Sequence, residues 1–152
     1  MAYTTINALR EDIEDVIAAL NPGGETLGCD EYVRTGEHWS WDDRAEASLD
    51  RAYTVDPVRA MEPTMFGAVD EIDYQGEVEV TIGHVIPANR RDGEMRRDTD
   101  LVQIMQALEK KANFPSGCSL VRHITTDTVE MLESKHWKTI AKYEIHFALA
   151  AP

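Results

Sequence analysis

The chain has little of several features that usually reveal how a protein works. Its 152 residues include only two cysteines, Cys29 and Cys118, which stand far apart without a CxxC pair. Neither a disulfide framework nor a paired-cysteine metal site is expected. No apolar run approaches the roughly 20 residues that cross a bilayer, and the start, Met1-Ala2-Tyr3, leads straight into a polar segment without a targeting peptide. These absences predict a soluble protein made in a reducing, cytoplasmic environment.

Metal and phosphate sites lack a sequence signature as well. The glycines of Pro22-Gly23-Gly24 follow a predicted helix rather than a strand, so they lack the context in which a glycine-rich loop cradles phosphate. His84 and His146 alternate with apolar neighbours, and we expect both on the surface of a sheet. The five histidines are scattered, without HExxH or HxH spacing: His38, His84, His123, His136 and His146. We therefore predict no metal and no cofactor.

Nucleophilic and acid–base catalysis have no clear candidate. Two acidic residues follow Cys29 and disfavour its thiolate, and no serine occupies a GxSxG turn. The adjacent carboxylates Asp42-Asp43 and Asp70-Glu71 would point apart on a strand or a helix. The sequence therefore predicts no catalytic residue and a protein that is not an enzyme. The alternative from another class is a small α+β enzyme with Asp42 in a pocket beneath residues 39–41.

The charge balance is strongly acidic. There are 28 acidic and 15 basic residues, a net charge of −13, which disfavours tight binding to nucleic acid and to anionic lipid. Four arginines within eight residues depart from this balance: Arg90, Arg91, Arg96 and Arg97. They form either a solvated turn before a helix or a docking point for the acidic surface of a neighbouring copy. Arg96 and Arg97 are also spaced to form an exposed helical ion pair with Asp100.

Two tryptophans stand out in a segment with little other apolar content. Trp39 and Trp41 are two residues apart, so an extended backbone would place both indoles on the same side. They form either a local lid over the sheet or an aromatic anchor in a subunit interface, where tryptophan often carries binding energy.

Alternation of apolar and polar residues marks the long strands. Apolar residues recur at odd positions from Trp137 to Leu149 and at the even positions Ile72, Tyr74, Val78, Val80, Ile82 and Ile86. Since strand side chains alternate between faces, each segment predicts a strand with one dry face. Residues 120–131 are rich in valine, isoleucine and threonine, and a turn at residues 133–135 would join them to the last strand as an antiparallel hairpin.

Helical periodicity and shorter patterns complete the prediction. Residues 6–20 and 101–108 have apolar residues at three- and four-residue steps, which predicts two amphipathic helices. Thr4 or Thr5 is the predicted cap of the first helix. Residues 89–93 are predicted to form a turn, in which Asp92 caps the second helix. Residues 31–34 and 49–55 are predicted as short strands and residues 59–67 as a loop. The predicted fold is one α+β domain over residues 1–152: a mostly antiparallel sheet packed against two amphipathic helices, in the order α-β-β-β-α-β-β.

This order of elements resembles the tail terminator proteins of long-tailed bacteriophages over nearly the whole chain. The likeness includes the strand GEVEVTIGHVI, the following RRDGEMRRDTDLVQIMQAL with its Arg97-x-x-Asp100 helix start, and the closing strand that ends Tyr143-Glu-Ile-His-Phe147. The resemblance implies a structural virion protein of the tail or neck, assembled in the host cytoplasm. Such proteins form a hexameric ring that caps the tail tube, stops its polymerisation and joins the tail to the head connector.

The implied partners are copies of the same chain, the tail tube protein and the head–tail connector or stopper protein, with no membrane. Genomic DNA would pass through an acidic lumen without specific binding. Candidate interface residues are Arg90, Arg91, Arg96, Arg97, Trp39 and Trp41. Two alternatives stay open: another head–tail connector subunit, such as a stopper, neck or tail-completion protein, and a small acidic regulator that is monomeric or dimeric.

Overall fold

The computed structural model describes residues 2–23, 30–34, 50–66, 70–115, 117–132 and 135–151. In these ranges two α-helices and six strands follow one another, and a short 3-10 helix, Lys111–Asn113, comes after the second α-helix. The elements are α1 (Ile6–Ala18), β1 (Val33–Arg34), β2 (Ala52–Val55), β3 (Arg59–Phe66), β4 (Glu71–Val85), α2 (Arg90–Glu109), β5 (Cys118–Met131) and β6 (His136–Ala150). The predicted α+β fold class is confirmed.

All six strands belong to one sheet. Five of them lie side by side in the order β1-β2-β4-β6-β5, and β3 pairs with β4 alone. The centre of the sheet is the antiparallel ladder between β4 and β6, which runs without interruption from Glu71 opposite Ala150 to Val85 opposite His136. Along the other side of β4, β3 pairs with the first half of the strand and β2 with the second half. Only the two-residue β1 is parallel to its neighbour. The predicted hairpin is confirmed, since β5 pairs antiparallel with β6.

The helices cover one face of this sheet. Even positions of β4 from Val78 to His84 and odd positions of β6 from Trp137 to Phe147 are buried, which confirms the predicted dry faces. Thr5 caps α1, because its Oγ1 accepts a hydrogen bond from the Ala8 amide at 3.2 Å. The shared core includes Leu9, Ile13 and Ile17 from α1, Ile104 and Leu108 from α2, and Tyr53, Val78, Val80, Ile82, Tyr143, Ile145 and Phe147 from the strands.

The prediction of a loop over residues 59–67 is wrong for residues 59–66, which form β3. This strand pairs with β4 from Arg59 opposite Glu77 to Phe66 opposite Ile72, with two register shifts. Residues 59–64 are exposed on both faces, so this part of β3 has no dry side and no alternation of apolar and polar residues that would predict a strand. Pro63 also lies within it, a residue that sheets accept on an edge strand.

The predicted turn at residues 89–93 is also wrong, because α2 already begins at Arg90. Asn89 rather than Asp92 is the cap, and its Oδ1 accepts from the Asp92 amide at 3.4 Å. Gly93 lies inside the helix because this turn packs closely: a Cβ there would stand 2.4 Å from Pro87 Cδ and 3.1 Å from the Trp137 ring. The glycine therefore reflects a close approach and not a helix start.

We expect Phe147→Ala to lower the free energy of unfolding by about 3–5 kcal/mol, because it opens a cavity in a packed core. Phe147 is 1% exposed and stacks on Tyr74 with 5.8 Å between the ring centroids. Lys111→Ala is the control, since Lys111 is exposed and its truncation should change stability by less than about 0.5 kcal/mol. Urea unfolding measures both. Equal midpoints for the two variants would contradict the assigned core.

Candidate functional site

A buried ion network joins α2 to the sheet. The Arg51 guanidinium donates from Nε to Asp100 Oδ2 at 2.8 Å and from Nη2 to Asp100 Oδ1 at 2.9 Å. His84 Nε2 lies 2.8 Å from the same Oδ2. All three side chains are at most 1% exposed. A bidentate pair of this kind compensates for much of the cost of taking the two charges out of water.

A second buried pair lies beside the first. Arg96 donates from Nη1 and Nη2 to the two carboxylate oxygens of Asp50 at 2.7 and 2.8 Å. The Val85 amide also donates to Asp50 at 3.2 Å. Residues 50 and 51 immediately precede β2 and residues 96 and 100 are one turn apart on α2, so two adjacent salt bridges hold the helix to the sheet.

The backbone at Arg51 adopts a conformation that non-glycine residues rarely use, with a φ of 55°. Its amide donates to Gly83 O at 2.7 Å, and its carbonyl accepts from the Val33 amide at 2.9 Å. Its side chain also reaches Gly23 O at 2.9 Å and lies 5.9 Å from the Tyr32 ring centroid. Arg51 therefore forms hydrogen bonds with α2, β1, β4 and the segment after α1.

The electrostatics of the network keep Asp100 ionised. Burial alone would raise the pKa of Asp100, but hydrogen bonds from His84 and Arg51 together outweigh it and hold the pKa below its ordinary value. His84 Nδ1 is buried without a hydrogen-bond partner in the described part of the chain. The tautomer with its proton on Nε2 fits both facts. Because the charged groups are buried, the network is suited to fixing α2 in place rather than to meeting a substrate.

The four arginines predicted for a subunit interface lie in different environments. Arg90 and Arg91 are exposed at the start of α2; Arg90 pairs with Glu94 and with Glu130 of β5, whereas Arg91 has no ion pair within the described ranges. Arg97 is mostly buried, pairs with Asp98 at 3.1 Å and lies 4.7 Å from the Trp137 ring centroid.

Arg96 corrects two expectations of the sequence analysis. It is 8% exposed and pairs with Asp50, so it is not an exposed residue of the helix start. The expected ion pair between Arg96 or Arg97 and Asp100 is also wrong, because Asp100 binds Arg51 and His84. His84 in turn is 1% exposed and not on the sheet surface, whereas His146 is partly exposed there.

Of the other candidate residues from the sequence, five lie outside the described ranges and Cys118 lies within them. Trp39, Trp41, Asp42, Cys29 and His38 lie outside the described residues. Cys118 is buried, and burial raises the pKa of its thiol to about 11, which leaves it a weak nucleophile at neutral pH. Over the residues that the structure describes, no three His, Cys, Asp or Glu side chains converge to hold a metal ion.

One exposed feature of the sheet is the free side of β5. No other strand in the described ranges pairs with it, and residues 124–129 are exposed on both faces. An open groove of about 240 Å³, lined by residues that include Val102, His123 and Thr126, separates it from α2. Six of the eight exposed large apolar residues of the described chain belong to β5, to the residue after it or to α2, and we call them the β5 surface: Leu120, Ile124, Val129 and Leu132, with Met95 and Val102 of α2. Leu120 and Val129 lie on the sheet face that the helices leave uncovered, whereas Met95 and Val102 belong to the helix layer.

The sequence did not reveal either feature. Asp50, Arg51 and Asp100 are charged residues in segments with otherwise ordinary polar content, and their burial depends on contacts between residues 49 positions apart. The exposure of β5 had a weak signal, since its threonine-rich run lacks clear alternation.

Compared with models of protein families and with curated proteins, the chain matches none of them. No helix in the described ranges combines the length and apolar composition that a membrane span requires. Function is therefore inferred from the geometry above and from the resemblance seen in the sequence.

We expect Arg96→Ala to lower the free energy of unfolding by about 3–5 kcal/mol, because it leaves the Asp50 carboxylate buried without its main partner. Arg91→Ala is the matched control from the same helix, because Arg91 is exposed and has no ion pair with any residue that the structure describes, and it should cost less than about 0.5 kcal/mol. Denaturant unfolding distinguishes the two. Similar small losses for both variants would show that Arg96 is in fact a surface residue.

The stabilising effect of Asp100 should depend on pH. Its pKa is lower in the folded protein, so its contribution is complete above the ordinary aspartate pKa of about 4 and disappears as pH falls through the folded value. Asp100→Asn removes this titration. The gap in unfolding free energy between the native protein and this variant should therefore narrow below about pH 4. Urea unfolding between pH 3 and 7 measures it, and a gap that stays constant or widens in acid would refute the assignment.

Proposed function

We propose that this chain is a self-assembling structural subunit, a tail terminator of the long-tailed bacteriophage type, which works as a ring of six copies. The observation that carries the proposal is the uncovered β5 surface. A long strand edge that has no partner strand in the described structure and carries exposed apolar residues invites association with another chain.

Ring formation requires two different complementary patches on each copy, because a closed ring of more than two members uses head-to-tail contacts. The β5 surface supplies one patch, next to Arg90 and Arg91 at the start of α2. Arg90 contacts Glu130 of β5, so the basic start of α2 adjoins the last part of this strand. Arg96 takes no part in this surface because it is buried.

In this proposal the ring caps the finished tail tube, stops further polymerisation and presents a face to the head–tail connector. The net charge of −13 suits a lumen that DNA crosses without binding. No step of this role needs a cofactor or a catalytic group. Trp39 and Trp41 are retained as candidate interface anchors.

The test is the mass of the purified protein and its effect on tail tubes. We expect six times the protomer mass of 17.1 kDa by native mass spectrometry, alone or with tail tube protein. We also expect tubes polymerised with the protein to be shorter by electron microscopy, since their ends are capped. Arg91→Glu should weaken the ring and leave the fold intact, with Lys111→Glu as an exposed control on the 3-10 helix.

Three results would overturn the proposal in different ways. A protein that binds the portal-side adaptor and not the tube would be a stopper or neck subunit. A stable monomer or dimer that ignores tubes would indicate a regulator. A monomer with measurable turnover, lost in Asp42→Asn, would be an enzyme.

A further inference from the structure

The structure points to the contact that closes the ring: we propose that β5 of one copy pairs, antiparallel, with β3 of the next copy. This inference rests on the proposed ring, and it names both surfaces of the subunit contact. The joined strands would extend the sheet of one copy into the sheet of its neighbour.

The argument begins with which strand edges are free. Among the described strands, three have an unpaired side: β5, β3 and the two-residue β1. A ring needs unlike surfaces, so β5 must meet something other than β5. β1 is too short to form a ladder. β3, with eight residues, is the remaining edge of useful length, and it lies on the opposite side of the sheet.

Strand direction favours the same contact. β3 is antiparallel to β4, β4 to β6 and β6 to β5, so β3 and β5 run in opposite directions within one copy. Rotation about an axis roughly parallel to the strands leaves each direction unchanged. The next copy therefore presents a β3 that is antiparallel to β5, and the alternation continues across the junction without a break.

The charges on the two edges are complementary in this orientation. Arg59 and Glu62 stand opposite Glu77 and Gln75 of β4, and Arg122 stands opposite Glu144 of β6. Since Glu77 and Glu144 are themselves paired, all of these side chains lie on the sheet face that the helices leave uncovered. Asp127, further along β5, shares that face.

Each edge carries its arginine before its acidic residue: Arg59 before Glu62 on β3, and Arg122 before Asp127 on β5. Antiparallel pairing brings unlike charges together, whereas parallel pairing brings like charges together. Glu62 and Asp127 are exposed and have no ion pair within the described residues. The proposed contact gives each of them an arginine from the adjacent copy.

The register follows from the same residues. Arg59 and Arg122 stand at the same level of the sheet, because their partners Glu77 and Glu144 face each other. If β3 of the next copy is shifted by two residues along β5, Glu62 comes to lie beside Arg122. Arg59 then lies diagonal to Asp127. Closing a sheet into a ring requires a stagger of this kind. Pro63 lacks an amide hydrogen and leaves at most one position of the new ladder without a donor.

Charge reversal on the two edges tests this contact. Glu62→Arg and Arg122→Glu, each alone, should raise the protomer concentration needed for half-maximal ring formation at least about tenfold, because like charges then face each other. An equimolar mixture of the two variants should assemble again into rings of alternating copies. The double variant in one chain should assemble as well.

A second variant guards against effects on folding. Arg122 contacts Glu144 within its own copy, whereas Asp127→Arg removes no ion pair from the described part of the protomer. It should also weaken assembly at least about tenfold, since the new arginine would lie diagonal to Arg59 of the neighbour. Lys111→Glu lies on neither edge and should assemble normally. Thermal unfolding of each variant confirms that the protomer is folded.

The outcomes separate this inference from the proposed function. Rings that form equally well with every variant would overturn the β3–β5 contact and leave the ring itself standing. Loss of assembly in Arg122→Glu but not in Glu62→Arg, without rescue by mixing, would indicate a β5–β5 contact and also overturn it. A native protein that forms no ring with or without tail tube would overturn the proposed function, and this contact with it.

Discussion

The unbroken ladder between β4 and β6 is the constraint on which the other features depend. It holds fifteen-residue strands in a single register, from Glu71 opposite Ala150 to Val85 opposite His136. A strand whose side chains alternate cannot shift by one residue without turning its dry face to water. The ladder therefore decides which face receives the two helices. It also places β2 and β3 on one side and β5 on the other, and so creates the two edges.

The position of α2 depends on buried charge as well as on apolar packing. Asp100 and Asp50 receive arginines from opposite directions, one from the segment before β2 and one from the helix itself. Removing one member of either pair would leave the other buried without its main opposite charge, which costs more than the intact pair contributes. The network thus fixes the helix in one place, and with it the groove and the apolar residues that accompany β5.

The two edges differ in how they are protected. β3 has register shifts, a proline and charged side chains, which are common means of keeping an edge strand from pairing at random. β5 also has two register shifts and charged side chains, but it is longer, lacks proline and carries three exposed large apolar residues, Leu120, Ile124 and Val129. Two unlike edges on opposite sides of a sheet suit directional assembly, in which each copy offers one surface and receives the other.

The sequence by itself determined the parts that depend on neighbours within a few residues. The two long strands, α1 and its Thr5 cap were predictable, because alternation, helical spacing and capping are local patterns. Only the tertiary structure decided that Arg96 is buried and Arg91 exposed, that Asp100 binds Arg51 instead of its helix neighbours, and that residues 59–66 form a strand. Each of these depends on a partner brought from elsewhere in the chain: Arg51 and Asp100 are 49 residues apart. Nothing in the local sequence of either residue specifies that meeting.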